Sequence, residues 1–165
     1  MKYESGLTLS DYQQLKVALE TDVRNSLFPT VSKEELAAYE KQKGVVLPQS
    51  FREFLTLISN GALLFEGSEE LFGTKDDDNA QGEIPLQESI DTARETRFAQ
   101  LPSDLIPFHD GGIAMHAFDT KRMTAKDEFA IVRIEFNNPK VQIDDPRKSF
   151  FDWFNSYILA EYTRL

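Results

Sequence analysis

The 165-residue sequence predicts a single α+β domain with a largely antiparallel central sheet, N-terminal helices and one closing C-terminal helix. Three observations carry that prediction. Helical apolar spacing fills the first third of the chain, period-2 alternation follows Gly61, and an aromatic-rich helical stretch ends it. The length suits one domain, residues 1–165, with residues 1–29 as an added N-terminal helix.

The first helix is expected over about Ser10 to Asn25, with Tyr12, Leu15, Leu19 and Val23 as its apolar stripe and Pro29 beyond its end. Ser32 is an N-cap with Glu35 three residues later, and Val31 and Leu36 stand where a hydrophobic staple would form. Gly44 stops that helix. A third helix starts at Leu47-Pro48, where proline loses nothing by lacking an N–H. It carries Phe51, Phe54, Leu55 and Ile58 on one face and ends at Asn60-Gly61.

Short strands are then expected at Ala62–Glu66 and Leu71–Thr74 around a Gly67 turn, with a helix over Glu88–Phe98. Ile106–His109 and Ile113–Asp119 read as a hairpin across Asp110-Gly111-Gly112. In the strand Phe129–Phe136, Ala130, Val132, Ile134 and Phe136 share one face, and Arg133 and Glu135 share the other. Val141–Ile143 is a further short strand. Ser149 caps a last helix with Phe150, Phe151, Trp153, Phe154, Tyr157 and Ile158.

Composition narrows the function. Lys and Arg number 18 against 28 Asp and Glu, a net charge of −10. That charge opposes binding to polyanionic nucleic acid or to anionic membrane surfaces. There is no cysteine, which removes thiol chemistry, disulfides and Cys-ligated metals and fits a reducing compartment. No signal-peptide core and no membrane-length apolar run is visible, so a cytoplasmic address is expected.

Two groups of residues could carry chemistry. His109, Asp110 and His116 could make a general acid–base set, but His116 alternates with Ala114 and Phe118 and reads first as a packed strand position. No nucleophile elbow, H-E-x-x-H or phosphate loop accompanies them. Asp77 to Glu88 falls in the register of a calcium loop, with Asp77, Asn79 and Gln81 at alternate positions, Gly82 at the turn and Glu88 last. Gln is a poor ligand there, and the preceding segment reads as strand, so a solvated acidic loop is expected and no metal or cofactor.

Charge is unevenly spread. From Glu66 to Glu95 there are ten acids and two bases, a net of −8, leaving −2 for the rest. Such a run serves either as a hydrated face that keeps the protein soluble or as a docking surface that speeds association with a basic partner and selects among partners. Glu66, Glu69, Glu70, Asp76, Asp77, Asp78, Glu83 and, more weakly, Asp110 are the expected partner-binding residues.

The order of motifs resembles the SUKH superfamily. The carriers are Val31-Ser32-Lys33-Glu34-Glu35-Leu36, Glu40, Gly44, Leu47-Pro48-Gln49-Ser50-Phe51-Arg52-Glu53-Phe54-Leu55 and Asn60-Gly61. Leu105-Ile106-Pro107-Phe108 with Gly111-Gly112, and Ser149-Phe150-Phe151-Asp152-Trp153-Phe154, continue it to about Tyr162. The helix before Pro29 and the acidic stretch Lys75–Gly82 are not family features. That superfamily holds fungal cell-wall-synthesis regulators and many bacterial immunity proteins. The resemblance implies a non-enzymatic protein, a monomer or weak homodimer, that binds and neutralises a cognate toxin domain, a basic nuclease being the fitting class. The alternatives are a regulatory or scaffold protein with a cellular partner, and a small hydrolase using His109 and His116.

Overall fold

A computed structural model describes residues 6–76, 87–135 and 138–163. Its element order is α1 (Leu9–Thr21), β1 (Ser26–Leu27), α2 (Lys33–Lys43), α3 (Gln49–Leu57), β2 (Ala62–Leu64), β3 (Glu69–Leu71), α4 (Ile90–Thr96), β4 (Leu105–Asp110), β5 (Ala114–Ala125), β6 (Glu128–Glu135), β7 (Asn138–Asp145), α5 (Phe150–Trp153), a π-helical segment (Phe154–Ile158) and α6 (Ala160–Thr163). The seven strands form one antiparallel sheet in sequence order, β1 to β7. This is the expected α+β architecture, with α2 and α3 inserted between β1 and β2.

Local chemistry sets most helix ends. Ser32 Oγ accepts from Glu35 N, and Gly44 takes the left-handed conformation at the end of α2 (φ +67°). Ser89 caps α4 and Ser149 caps α5 in the same way as Ser32. The first helix departs from expectation. It is opened by a capping box between Thr8 and Asp11 and ends at Thr21, because Asp22 turns out of the helix and grips Arg24 through two hydrogen bonds of 3.0 and 2.7 Å. Tyr12 and Leu19 are buried as the stripe requires, but Val23 lies past the helix and is 97% exposed.

The end of α3 explains the Asn60-Gly61 pair. Asn60 Oδ1 accepts from Thr74 N and its Nδ2 donates to Thr74 Oγ1, tying the helix exit to the segment after β3. Gly61 has φ +88°, and a Cβ there would stand 2.9 Å from Gly73 N and closer still to the Gln87 side chain. Gly73 faces the Asn60 backbone so closely that any Cβ would collide with it.

The core lies mainly between one sheet face and the helices α3 and α5. Phe51, Phe108, Phe118 and Phe150 meet there, with Phe108 stacked on Phe118 at 4.2 Å and Trp153 edge-on to Phe108 at 5.0 Å. The other face, carrying Met115, Ala117, Val132 and Ile134, is also buried. The shift in register between Pro107 and His109 is a β-bulge, which puts Phe108 and His109 on the same face.

One helix start is completed from far away. Pro48 offers α3 no side-chain cap. Instead Asp127 O accepts from Gln49 N (2.8 Å), and Glu128 accepts from Ser50 N (2.8 Å) and from Ser50 Oγ (3.1 Å). Glu128 is buried. Among the described residues, no helix is long and apolar enough to cross a membrane.

Removing this cap should be costly. Glu128→Ala leaves buried donors unmatched and is expected to lower unfolding stability by about 1–3 kcal/mol in urea titration. Glu128→Gln keeps an acceptor and should lose less.

Candidate functional site

The bulge in β4 builds a polar row across an otherwise aromatic face. His109 on β4 stands opposite His116 on β5, and His116 stands opposite Arg133 on β6. Both imidazoles are completely buried. Trp153 and Tyr157, stacked on each other at 5.0 Å, cover both rings.

The two rings join two carboxylates. His109 Nε2 lies 2.5 Å from Glu69 Oε2, and His109 Nδ1 lies 2.9 Å from His116 Nδ1. His116 Nε2 lies 3.6 Å from Asp145 Oδ2. Burial pushes His109 down, against the upward pull of Glu69. Burial, reinforced by His109, pushes His116 down to about 3. Both rings are therefore neutral at neutral pH. Glu69 then accepts from His109 Nε2–H, and His109 Nδ1 accepts from His116 Nδ1–H. That assignment leaves His116 Nε2 bare, and it is a buried atom without a hydrogen-bond partner. Asp145 faces it from β7. Burial acts to raise the Asp145 carboxyl, but hydrogen bonds from Arg147 win and hold it below its usual range.

Glu69 is the surface end of this chain. It lines a cleft of about 550 Å³ with Arg24, Phe65, Ser156, Tyr157 and Glu161. Phe65, which lines it, and the next residue Glu66 both have positive φ (52° and 60°), unusual for residues with a Cβ. Asn25 Oδ1 accepts from Phe65 N at 3.0 Å, and Arg24 lies over the Phe65 ring at 5.1 Å. Ser156 and Tyr157 line the cleft from the π-helical segment.

The adjacent residue Glu70 points to the opposite sheet face, as strand alternation requires. There it stands across from Asp110, and both bind Arg97 of the α4 C-cap, at 2.8 and 2.6 Å. Glu88 is a third carboxylate on Arg97 (2.7 Å), and the guanidinium lies over Phe72. Three carboxylates raise the Arg97 pKa despite its burial, while burial raises the Glu70 carboxyl above its ordinary value.

The structure thus divides the expected acids. Glu70 and Asp110 come together at Arg97. Glu69 lies on the other face at the cleft, and Glu66 is exposed in the turn before β3. Asp76 accepts from Ser89 N (2.8 Å) and Thr92 Oγ1 (2.9 Å) and so helps fasten the start of α4. Asp77, Asp78 and Glu83 lie outside the described residues, as does most of the calcium-loop register. Its final position, Glu88, is held by Arg97. Among the described residues, no group of three or more His, Asp or Glu side chains is placed to hold a metal.

Arg97, Asp145, Tyr157 and Glu161 were not among the expected site residues. The signal for the histidine pair was present in the sequence, since His109 and His116 flank a Gly-Gly turn and therefore face each other across a hairpin. No comparable signal tied Glu69 to them.

The fold and this site define an α+β protein whose distinctive polar groups form one buried row opening into a surface cleft. The sequence model of the SMI1 / KNR4 family (SUKH-1) matches residues 30–156, and the chain belongs to that family. Among curated proteins none matches this sequence. Helix α1 and strand β1 precede the matched stretch.

Neutral buried histidines make stability depend on pH. Their folded pKa values lie below the unfolded value near 6.5, so their contribution is complete above pH 6.5 and is lost as pH falls. Chemical unfolding between pH 7 and 5 should show stability falling by up to about 1.4 kcal/mol per pH unit for each histidine. His116→Gln should flatten that slope.

Proposed function

We propose that this chain is an immunity protein that binds a cognate toxin domain and blocks it without catalysis of its own. Family membership carries this reading, because the superfamily includes many bacterial immunity proteins and regulators that act by binding. The charge distribution supports it. Eight of the ten net negative charges fall within residues 66–95. A nuclease toxin is commonly basic, because its substrate is polyanionic. An acidic antidote is drawn to such a surface and competes with nucleic acid for it. Stable inhibition needs an interface of roughly 1,200–2,000 Å² in total, within reach of a domain of this size.

Glu66, Glu69, Glu70, Asp76, Asp77, Asp78, Glu83 and Asp110 are the proposed docking residues. Their environments give them different parts in that surface. Glu69 lines the cleft and Glu66 is exposed in the turn before it, whereas Glu70 and Asp110 are partly neutralised by Arg97 and contribute mainly to the long-range field. The buried histidines have no ring nitrogen turned to solvent, consistent with a binding protein.

Coexpression tests the reading. The chain should restore growth to cells producing the toxin domain encoded beside its gene. Reversal of Glu66 and Asp76–Asp78 to Lys should slow association at least tenfold at low salt and weaken protection. Absence of protection against any neighbouring toxin domain refutes the immunity reading, and unchanged association rates refute the acidic docking surface.

A further inference from the structure

The row of Glu69, His109, His116 and Asp145 crosses the sheet from β3 to β7, and its hydrogen bonds have a direction. A carboxylate stands at each end, 2.5 Å from His109 Nε2 and 3.6 Å from His116 Nε2. Each carboxylate is an acceptor that needs a donor. Two neutral imidazoles carry one N–H each, and one of these is used in the Nδ1–Nδ1 contact of 2.9 Å. The row can therefore donate at one end only. At neutral pH the nearer carboxylate, Glu69, has that donor. His116 Nε2 is left as a buried lone pair without a partner, facing the Asp145 carboxylate. Asp145 is compensated elsewhere, because Arg147 N and Nε both donate to its Oδ1.

Close approach at Gly111 keeps the surface end of the row in place. A Cβ there would stand 2.7 Å from Glu69 Oε2 and 3.0 Å from the His109 ring.

A third proton would supply the missing donor, and it could sit in two places. On an imidazole it would create a cation in a pair of rings that are completely buried under Trp153 and Tyr157. The surrounding charges do not rescue that cation. Glu69 on β3, Asp110 on β4 and Asp145 on β7 favour it, Arg133 on β6 and Arg147 beyond β7 oppose it, and burial outweighs the acids at both rings. Tyr157 stays a neutral phenol, since burial raises its pKa.

On Glu69 the same proton discharges a carboxylate at the partly exposed end and leaves the interior without a cation. Each ring then passes its own proton one place along. Glu69 Oε2–H donates to His109 Nε2, His109 Nδ1–H donates to His116 Nδ1, and His116 Nε2–H donates to Asp145. The row has gained one proton and lost one negative charge, and every nitrogen in it has a partner.

We propose that this row is a proton-operated switch with two hydrogen-bond directions, in which acid discharges Glu69 while both buried histidines exchange tautomers and stay neutral. In one direction β3 presents a carboxylate to the cleft, and in the other a carboxylic acid. The switch is a property of the fold and stands whatever partner the chain binds.

Imidazole nitrogens of the full chain, followed by long-range proton–nitrogen NMR, test this directly, because a protonated and a bare nitrogen have distinct shifts. At pH 7 the protonated atoms should be His109 Nε2 and His116 Nδ1. Acidification to about pH 4 should exchange the bare and protonated nitrogens of both rings at one shared midpoint. Two variants should lock opposite directions. Glu69→Gln offers an amide donor to His109 Nε2 and leaves Asp145 as the remaining carboxylate, so both rings should show the acid tautomers already at pH 7. Asp145→Asn offers an amide donor to His116 Nε2 and should hold the neutral tautomers down to about pH 4. A doubly protonated ring, separate midpoints for the two rings, or wild-type tautomers that do not change in acid overturns the switch. So does a Glu69→Gln protein with the wild-type tautomers at pH 7, or an Asp145→Asn protein that still exchanges them in acid. The wild-type titration and each variant are independent readouts, so a variant that fails to fold does not shelter the proposal.

Discussion

The bulge between Pro107 and His109 turns two consecutive side chains of β4 to one face of the sheet, and most of the interior is arranged around the result. Phe108 enters the aromatic cluster against Phe118, Phe150 and Trp153. His109, which regular alternation would send to the opposite face, meets His116 and reaches toward Glu69. Without the extra residue, either Phe108 or His109 would leave this layer. Trp153 touches both side chains and closes the join between an apolar half and a polar half of the same core.

Much of the fold was legible from local chemistry. Ser32, Ser89 and Ser149 act as caps because a side-chain oxygen satisfies an amide that the helix cannot. Apolar spacing located α3 because Phe51, Phe54, Leu55 and Ile58 are all buried. The antiparallel pairing of β2 with β3, of β4 with β5 and of β5 with β6 followed from strands separated by short turns. Other features depend on the chain folding back on itself. The two-residue strand β1 exists only because β2 pairs with it. Val23 has helical spacing but falls after the residue at which Asp22 leaves the helix. The start of α3 carries no cap of its own because residues more than seventy positions later provide one.

The site was legible in pieces. A hairpin flanked by His109 and His116 implies that they face each other, and strand alternation implies burial for His116. That Glu69 belongs with them depends on the bulge and on the space left by Gly111, neither of which has a periodic signature. The run of acids from Glu66 to Glu95 reads as one feature in one dimension. In three dimensions Glu69 and Glu70 diverge, because consecutive residues of a strand face opposite ways. Tyr157 read as core and is half right. Its ring packs on Trp153, and it also lines the cleft.

The arrangement at Gln49 and Ser50 bears on how the molecule assembles. The two backbone amides that open α3 are answered by Asp127 and Glu128 at the tip of the β5–β6 hairpin, and Ser50 in turn accepts from Phe151 N at 3.2 Å. Three regions widely separated in the chain therefore become complete together. The helical third alone has the apolar stripe of α3 but not the groups that anchor its first turn. The first turn of α3 is thus completed by side chains and backbone of two later elements, which couples the helical third to the sheet and to α5.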